Sequence, residues 1–80
     1  MDEKHQIEKT ANEVFKKMWL KWVIASVEQN PQTHGWDIEV QVPGGSELLL
    51  SVPHGSLKEI KDSIVQQTEE ELDRLESHAH

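Results

Sequence analysis

The amino-acid sequence predicts a small two-layer α+β domain, in which two amphipathic helices flank an antiparallel two-stranded hairpin in the order α-β-β-α. Apolar residues recur every three or four positions near both ends of the chain, as they do on one face of a helix. Two short central segments alternate apolar and polar residues, which is typical of half-buried strands. Because a hairpin alone is unstable in water, we expect its apolar face to receive both helices.

Length and composition limit what this sequence can encode. Its 80 residues predict a single domain, 1–80, and they include no cysteine for disulfide or thiolate chemistry. The net charge of −7 argues against direct nucleic-acid binding and permits a basic protein partner. No segment approaches the roughly 20 apolar residues of a membrane span, and the charged N-terminus lacks a signal-peptide core. We therefore expect a cytoplasmic protein.

The first predicted helix extends over residues 6–29, after a frayed segment at residues 1–5. Asn30-Pro31 ends it, because the residue before proline is disfavoured in the helical region. Its core-facing stripe follows steps of three and four and consists of Ile7, Ala11, Val14, Met18, Trp22 and Ala25. From Trp19 onward the opposite face is apolar as well, so this part of the helix would need cover on nearly all sides.

The hairpin is predicted from strands at residues 36–42 and 47–52. The intervening Pro-Gly-Gly-Ser sequence at residues 43–46 is typical of a turn. In the predicted register only its last three residues form the loop, a common hairpin connection that uses glycine in a left-handed conformation.

The predicted register follows from matching apolar positions across the two strands, because a slip by one residue would invert a strand. It places Val42 opposite Leu48 and Trp36 opposite His54, whose ring is expected to pack on the tryptophan. The same register places Leu49 on the outer, polar face of the hairpin.

The second helix is predicted over residues 57–76, followed by a tail at residues 77–80. Ser56 and Glu59 form a capping-box pattern at its start. One narrow stripe faces the core, formed by Leu57, Ile60, Ile64, Thr68, Leu72 and Leu75.

The surplus apolar face of the first helix is the leading candidate for a binding site. Exposed contiguous apolar surface usually marks an interface, and tryptophan is enriched at binding hot spots. The predicted contact residues are Trp19, Leu20, Val23, Ile24 and Val27. We expect them to form a homodimer or partner interface, unless the chain wraps tightly enough to cover them. An interfacial membrane helix is a further alternative.

Acidic residues on the second helix form another candidate surface, opposite its apolar stripe. They are Glu59, Asp62, Glu69, Glu70, Asp73 and Glu76. Successive helical turns are about 5.4 Å apart, close to the spacing of strand phosphates. This acidic face would mimic a nucleic-acid backbone and block the basic site of a DNA- or RNA-binding protein. The alternative is a charged face that only contacts solvent. Asp37, Glu39 and Glu47 would add a second acidic patch on the hairpin.

The sequence offers no pattern that predicts catalysis, a metal site or a cofactor. It contains neither a glycine-rich phosphate loop ahead of a helix nor an H-E-x-x-H pattern. His34 and His54 fall on neighbouring register positions, and His78 and His80 lie in the predicted tail, where nothing holds them in ligand geometry.

The helix–hairpin–helix order resembles that of the small head-completion proteins of tailed phages, and the resemblance is one of element order. It implies a structural subunit of a larger assembly such as a head–tail connector. The residues themselves favour a non-enzymatic protein-interaction module, acting as a small regulator or inhibitor and associating with itself through the first helix. Nucleic-acid mimicry by the second helix is the other alternative.

Overall fold

The computed structural model describes residues 3–77 and confirms an α+β fold. Its elements in chain order are α1 (Glu3–Lys17), β1 (Val23–Gln29), β2 (Trp36–Gln41), β3 (Glu47–Val52) and α2 (Leu57–Ser77). The three strands form one antiparallel sheet in the order β1-β2-β3. The predicted two-stranded hairpin is therefore the β2–β3 part of a larger sheet. The element order is α-β-β-β-α, so the order on which the phage resemblance rested is not the order of this chain.

Both ends predicted for the first helix, at residues 6 and 29, are wrong. Residues 3–5, expected to fray, are helical, and α1 ends at Lys17. The end of α1 has a left-handed C-cap: the amide of Leu20 donates to the Phe15 carbonyl (2.9 Å), and that of Trp19 donates to the Lys16 carbonyl (3.1 Å). Residues 1, 2 and 78–80, parts of the predicted frayed segment and tail, lie outside the described residues.

The segment predicted as the second half of the first helix is a strand instead. Val23, Ile24 and Val27 are β-branched and favour the extended conformation. As strand β1 they pair with β2, which gives the hairpin the third strand it needs for stability. The pairing shifts between Ile24 and Ser26, so Ala25 forms a bulge.

The strands β2 and β3 occur where the sequence predicts them, with a register two residues from the predicted one. Trp36 lies opposite Val52 rather than His54, and Val40 rather than Val42 lies opposite Leu48. A shift of two residues keeps every side chain on its predicted face, because strand side chains alternate with a period of two. The loop keeps three residues and moves by one position, from 44–46 to 43–45: Val42 donates to the Ser46 carbonyl (2.9 Å), and Gly44 and Gly45 both have positive φ.

Both helices pack on one face of the sheet, α1 against β1 and α2 against β3, and they also contact each other. Ser56 caps α2 through a hydrogen bond from the amide of Glu59 to its hydroxyl oxygen (3.3 Å), as the capping-box pattern predicts. The buried core is formed by Ile7, Ala11, Val14, Phe15, Trp22, Val27, Trp36, Ile38, Val40, Val42, Leu48, Leu50, Val52, Ile60 and Ile64. Among residues 3–77, no element covers the opposite face of the sheet. No helix within residues 3–77 is long and apolar enough to cross a membrane.

Candidate interaction surfaces

Trp19 is the most unusual residue of the described chain. It occupies the position just after α1 that glycine usually takes, with a left-handed backbone (φ 60°). For a bulky side chain this conformation is a genuine outlier. The indole is 93% exposed, so it contributes almost no buried apolar surface to the fold. The strained backbone thus presents a large apolar side chain directly to solvent.

The five contact residues predicted on the first helix lie in the α1–β1 connection and on β1 instead. Val27 is a correction: it is 1% exposed and belongs to the core, so a partner cannot reach it. Leu20 and Ile24 are half-buried and pack against that core. Val23 is 59% exposed and lies on the open face of the sheet, opposite Gln41. Trp19 and Val23 are therefore the predicted contact residues that remain accessible, and we call them the Trp19 corner.

The open face of the sheet is acidic. Glu28 and Asp37 lie directly opposite each other on β1 and β2, Glu39 follows on β2, and Glu47 begins β3. Leu49 lies opposite Glu39 and is 59% exposed, which confirms its predicted place on the outer face. The strands carry no lysine or arginine. We call this surface, formed by the four acidic residues and Leu49, the open sheet face. Val23 lies at its β1 margin and belongs to the Trp19 corner.

The two edges of the sheet differ. At the β3 edge, Gln67 of α2 acts like a neighbouring peptide group: its amide oxygen accepts from the Ser51 backbone amide (2.9 Å), and its amide nitrogen donates to the Ser51 carbonyl. The β1 edge has no neighbouring strand within the described chain. The role of Gln67 cannot be predicted from the sequence, because no local pattern distinguishes it from Gln66.

The acidic face of α2 agrees with its prediction as far as it is described. Its exposed members are Glu59, Asp62, Glu69, Glu70 and Asp73, whereas the side chain of Glu76 lies outside the described part of the chain. Leu57 and Leu75, at the two ends of the predicted apolar stripe, are exposed, and Ile60, Ile64 and Thr68 in its middle are buried. Arg74 forms an ion pair with Glu71.

The helical side of the molecule carries shallow hollows. One of about 360 Å³ runs along the exposed face of α1. Another, about 200 Å³, lies where the first turns of both helices meet His54 and Gly55. Within residues 3–77 no three His, Asp or Glu side chains are grouped as metal ligands.

Comparison with known protein families, curated sequences and solved structures finds no match to this chain. Its function has to be inferred from these surfaces.

Proposed function

We propose that this chain is a non-enzymatic protein-interaction module, a small regulator or inhibitor, that associates with itself through the Trp19 corner. The observation that carries the proposal is Trp19 itself, exposed on a left-handed backbone. A left-handed conformation costs a residue other than glycine about 1–2 kcal/mol. Such strain persists only where the surrounding structure imposes it, and it concentrates at functional sites.

The Trp19 side chain is 93% exposed and therefore adds little stability to the isolated fold that could offset the strain. Glycine at the same position would keep both C-cap hydrogen bonds, since both are made by backbone atoms. A buried indole, in contrast, contributes strongly to an interface. Val23 adds a second exposed apolar side chain four residues further along the chain. A contact between two copies would cover both residues of each copy.

The decisive variant is Trp19→Gly, which removes the side chain and relieves the backbone together. At protein concentrations where the wild type is monomeric, we expect its Tm to equal or exceed that of the wild type, because about 1 kcal/mol of strain is lost. His34→Gly is the matched control: His34 is also exposed and left-handed (φ 61°), and it lies in the β1–β2 loop. Thermal unfolding of both variants measures the effect. A large loss of stability in Trp19→Gly would show that the indole supports the fold.

Sedimentation velocity over a range of concentrations tests the association. The wild type and His34→Gly should shift from monomer to dimer as concentration rises, whereas Trp19→Gly should remain monomeric. A wild-type protein that stays monomeric up to millimolar concentration would contradict self-association, and an unchanged dimer in Trp19→Gly would contradict the Trp19 corner as its interface.

The exposed acidic side chains of α2 favour a second candidate function, nucleic-acid mimicry against a basic protein site. Replacing Glu69 and Glu70 by glutamine would weaken such binding and leave the dimer unchanged. The same pair of substitutions serves as a control below.

A further inference from the structure

We propose that the open sheet face is a second docking surface, and that its partner is an extended protein segment rich in lysine and arginine that carries an apolar residue. This inference rests on the proposed role as an interaction module and names the chemistry of one partner. The supporting observations are that face's charge, its exposed Leu49, and the absence of a covering layer among residues 3–77.

The charge of the face is uniform. All four charged residues on the three strands are acidic, namely Glu28, Asp37, Glu39 and Glu47. Seven of the eight basic residues belong to the helices, which cover the opposite face of the sheet, and the eighth is Lys21 in the α1–β1 connection. The open sheet face therefore presents a field that attracts cationic groups.

At one position this arrangement of charges costs the fold stability. Glu28 and Asp37 are directly opposite on neighbouring strands, where like charges are destabilising. Asp37 accepts hydrogen bonds from neutral groups, the Ser51 hydroxyl (3.3 Å) and the Asn30 side-chain amide (3.5 Å). A lysine or arginine from a partner would supply the missing countercharge.

The exposed side chain of Leu49 makes the face more than a charged surface. Leu49 lies between Glu47 and Ser51 along β3 and opposite Glu39 across the sheet. An apolar residue of the partner can pack on Leu49 while flanking lysines or arginines lay their alkyl stems on the sheet and direct their charges to the carboxylates.

Charge complementarity also decides between possible occupants. A second copy of this chain would bring four acidic residues against four, and a nucleic acid would bring phosphates, so both are repelled. A basic helix is a less suitable occupant than an extended segment, because a sheet face is broad and its acidic side chains follow the strand repeat.

A synthetic peptide, Lys-Lys-Leu-Lys-Lys, is a suitable probe, and the same peptide with glutamate for lysine is its control. Titrated into isotopically labelled protein, the basic peptide should shift backbone amide resonances in β1, β2 and β3 and bind more weakly as salt rises. Glu39→Gln combined with Glu47→Gln should weaken binding about five- to tenfold. Leu49→Ser should weaken it as well, without any change in charge.

The matched control is Glu69→Gln combined with Glu70→Gln, which makes the same change in net charge on α2. This variant should bind the peptide within about twofold of the wild type. Equal losses in both double variants would mean that net charge alone attracts the peptide, and a loss only in the α2 variant would locate binding on the acidic face of α2; either result overturns the proposal. So does a wild-type protein that fails to bind the peptide.

The two proposals fail separately. Trp19→Gly should lose self-association and keep peptide binding, whereas the Glu39 and Glu47 double variant should keep self-association and lose peptide binding.

Discussion

Individual residues of this chain show where the fold requires one particular residue and where it tolerates a residue that does not stabilise it. Gly35 has no room for a β-carbon, and the buried Thr68 hydroxyl has no hydrogen-bond partner among the described residues. Gly35 is therefore required by the fold, whereas the Thr68 hydroxyl is dispensable. Both differ from Trp19, whose side chain has little to do with folding and whose backbone is strained.

Gly35→Ala should destabilise the protein by about 1–3 kcal/mol. A β-carbon there would lie 2.2 Å from the carbonyl oxygen of Val52, a backbone atom that the sheet holds in place. Gly55→Ala is the control, because its β-carbon would meet only the end of the flexible Glu59 side chain. Urea denaturation should separate the two variants clearly. Equal midpoints would show that the β2–β3 pairing adjusts at no cost.

Thr68→Val should leave stability unchanged or raise it by about 1 kcal/mol. The Thr68 side chain is fully buried and its oxygen finds no partner among the described residues, so the hydroxyl loses its hydration without compensation. Valine has nearly the same shape and no polar atom. Thr68→Ser, which keeps the hydroxyl and leaves a small cavity, should be less stable than the wild type. A destabilised valine variant in urea denaturation would reveal a hydrogen bond to the hydroxyl.

At the scale of secondary-structure elements, the two edge strands of the sheet differ in what limits their pairing with another chain. Edge strands expose unpaired backbone groups that can pair with other chains, and proteins commonly block them. At β3 the side-chain amide of Gln67 forms hydrogen bonds with both the backbone amide and the backbone carbonyl of Ser51. At β1 the bulge at Ala25 interrupts the regular pairing pattern.

Gln67→Ala should speed hydrogen exchange at the Ser51 amide, because that amide loses its acceptor. Gln66→Ala, a change to the neighbouring exposed residue, should leave the exchange rate unchanged. Native-state hydrogen exchange by NMR measures both. A Ser51 amide that stays equally protected without Gln67 would show that another group covers this edge.

At the scale of the whole molecule, basic residues are absent from one face. The helices carry seven of the eight basic residues, and the open sheet face carries acidic residues alone among its charged groups. Two copies, each with a net charge of −7, repel each other at long range, whereas a basic segment is attracted.

The two proposed contacts should therefore respond to salt in opposite directions. Raising the ionic strength shortens the Debye length from about 30 Å at 0.01 M to about 8 Å at 0.15 M. Self-association should strengthen over that range because repulsion between copies is screened, and binding of the basic peptide should weaken. Sedimentation and peptide titration in the same buffers measure both. Parallel responses would contradict the assignment of the two contacts to different surfaces.

The sequence by itself determined the α+β class, strands β2 and β3, and α2 with its Ser56 cap. Each of these has a local signal: strict alternation in a half-buried strand, or a capping pattern before a helical stripe. The sequence also placed Leu49 and the acidic residues of the hairpin on the outer face of the sheet. The two-residue alternation of a strand is enough to decide which face a side chain points to.

Only the tertiary structure decided the segment from Met18 to Gln29. Its apolar residues fit a buried helix or a buried strand equally well, because a short apolar run without a polar face has no informative period. The usual sign of a helix end was also missing, since Trp19 occupies the position where glycine would mark it. Pairing with β2 resolved the ambiguity, because a sheet edge can satisfy the strand's backbone and the helices can bury Val27. That same outcome left Trp19 exposed at the corner on which the proposed function depends.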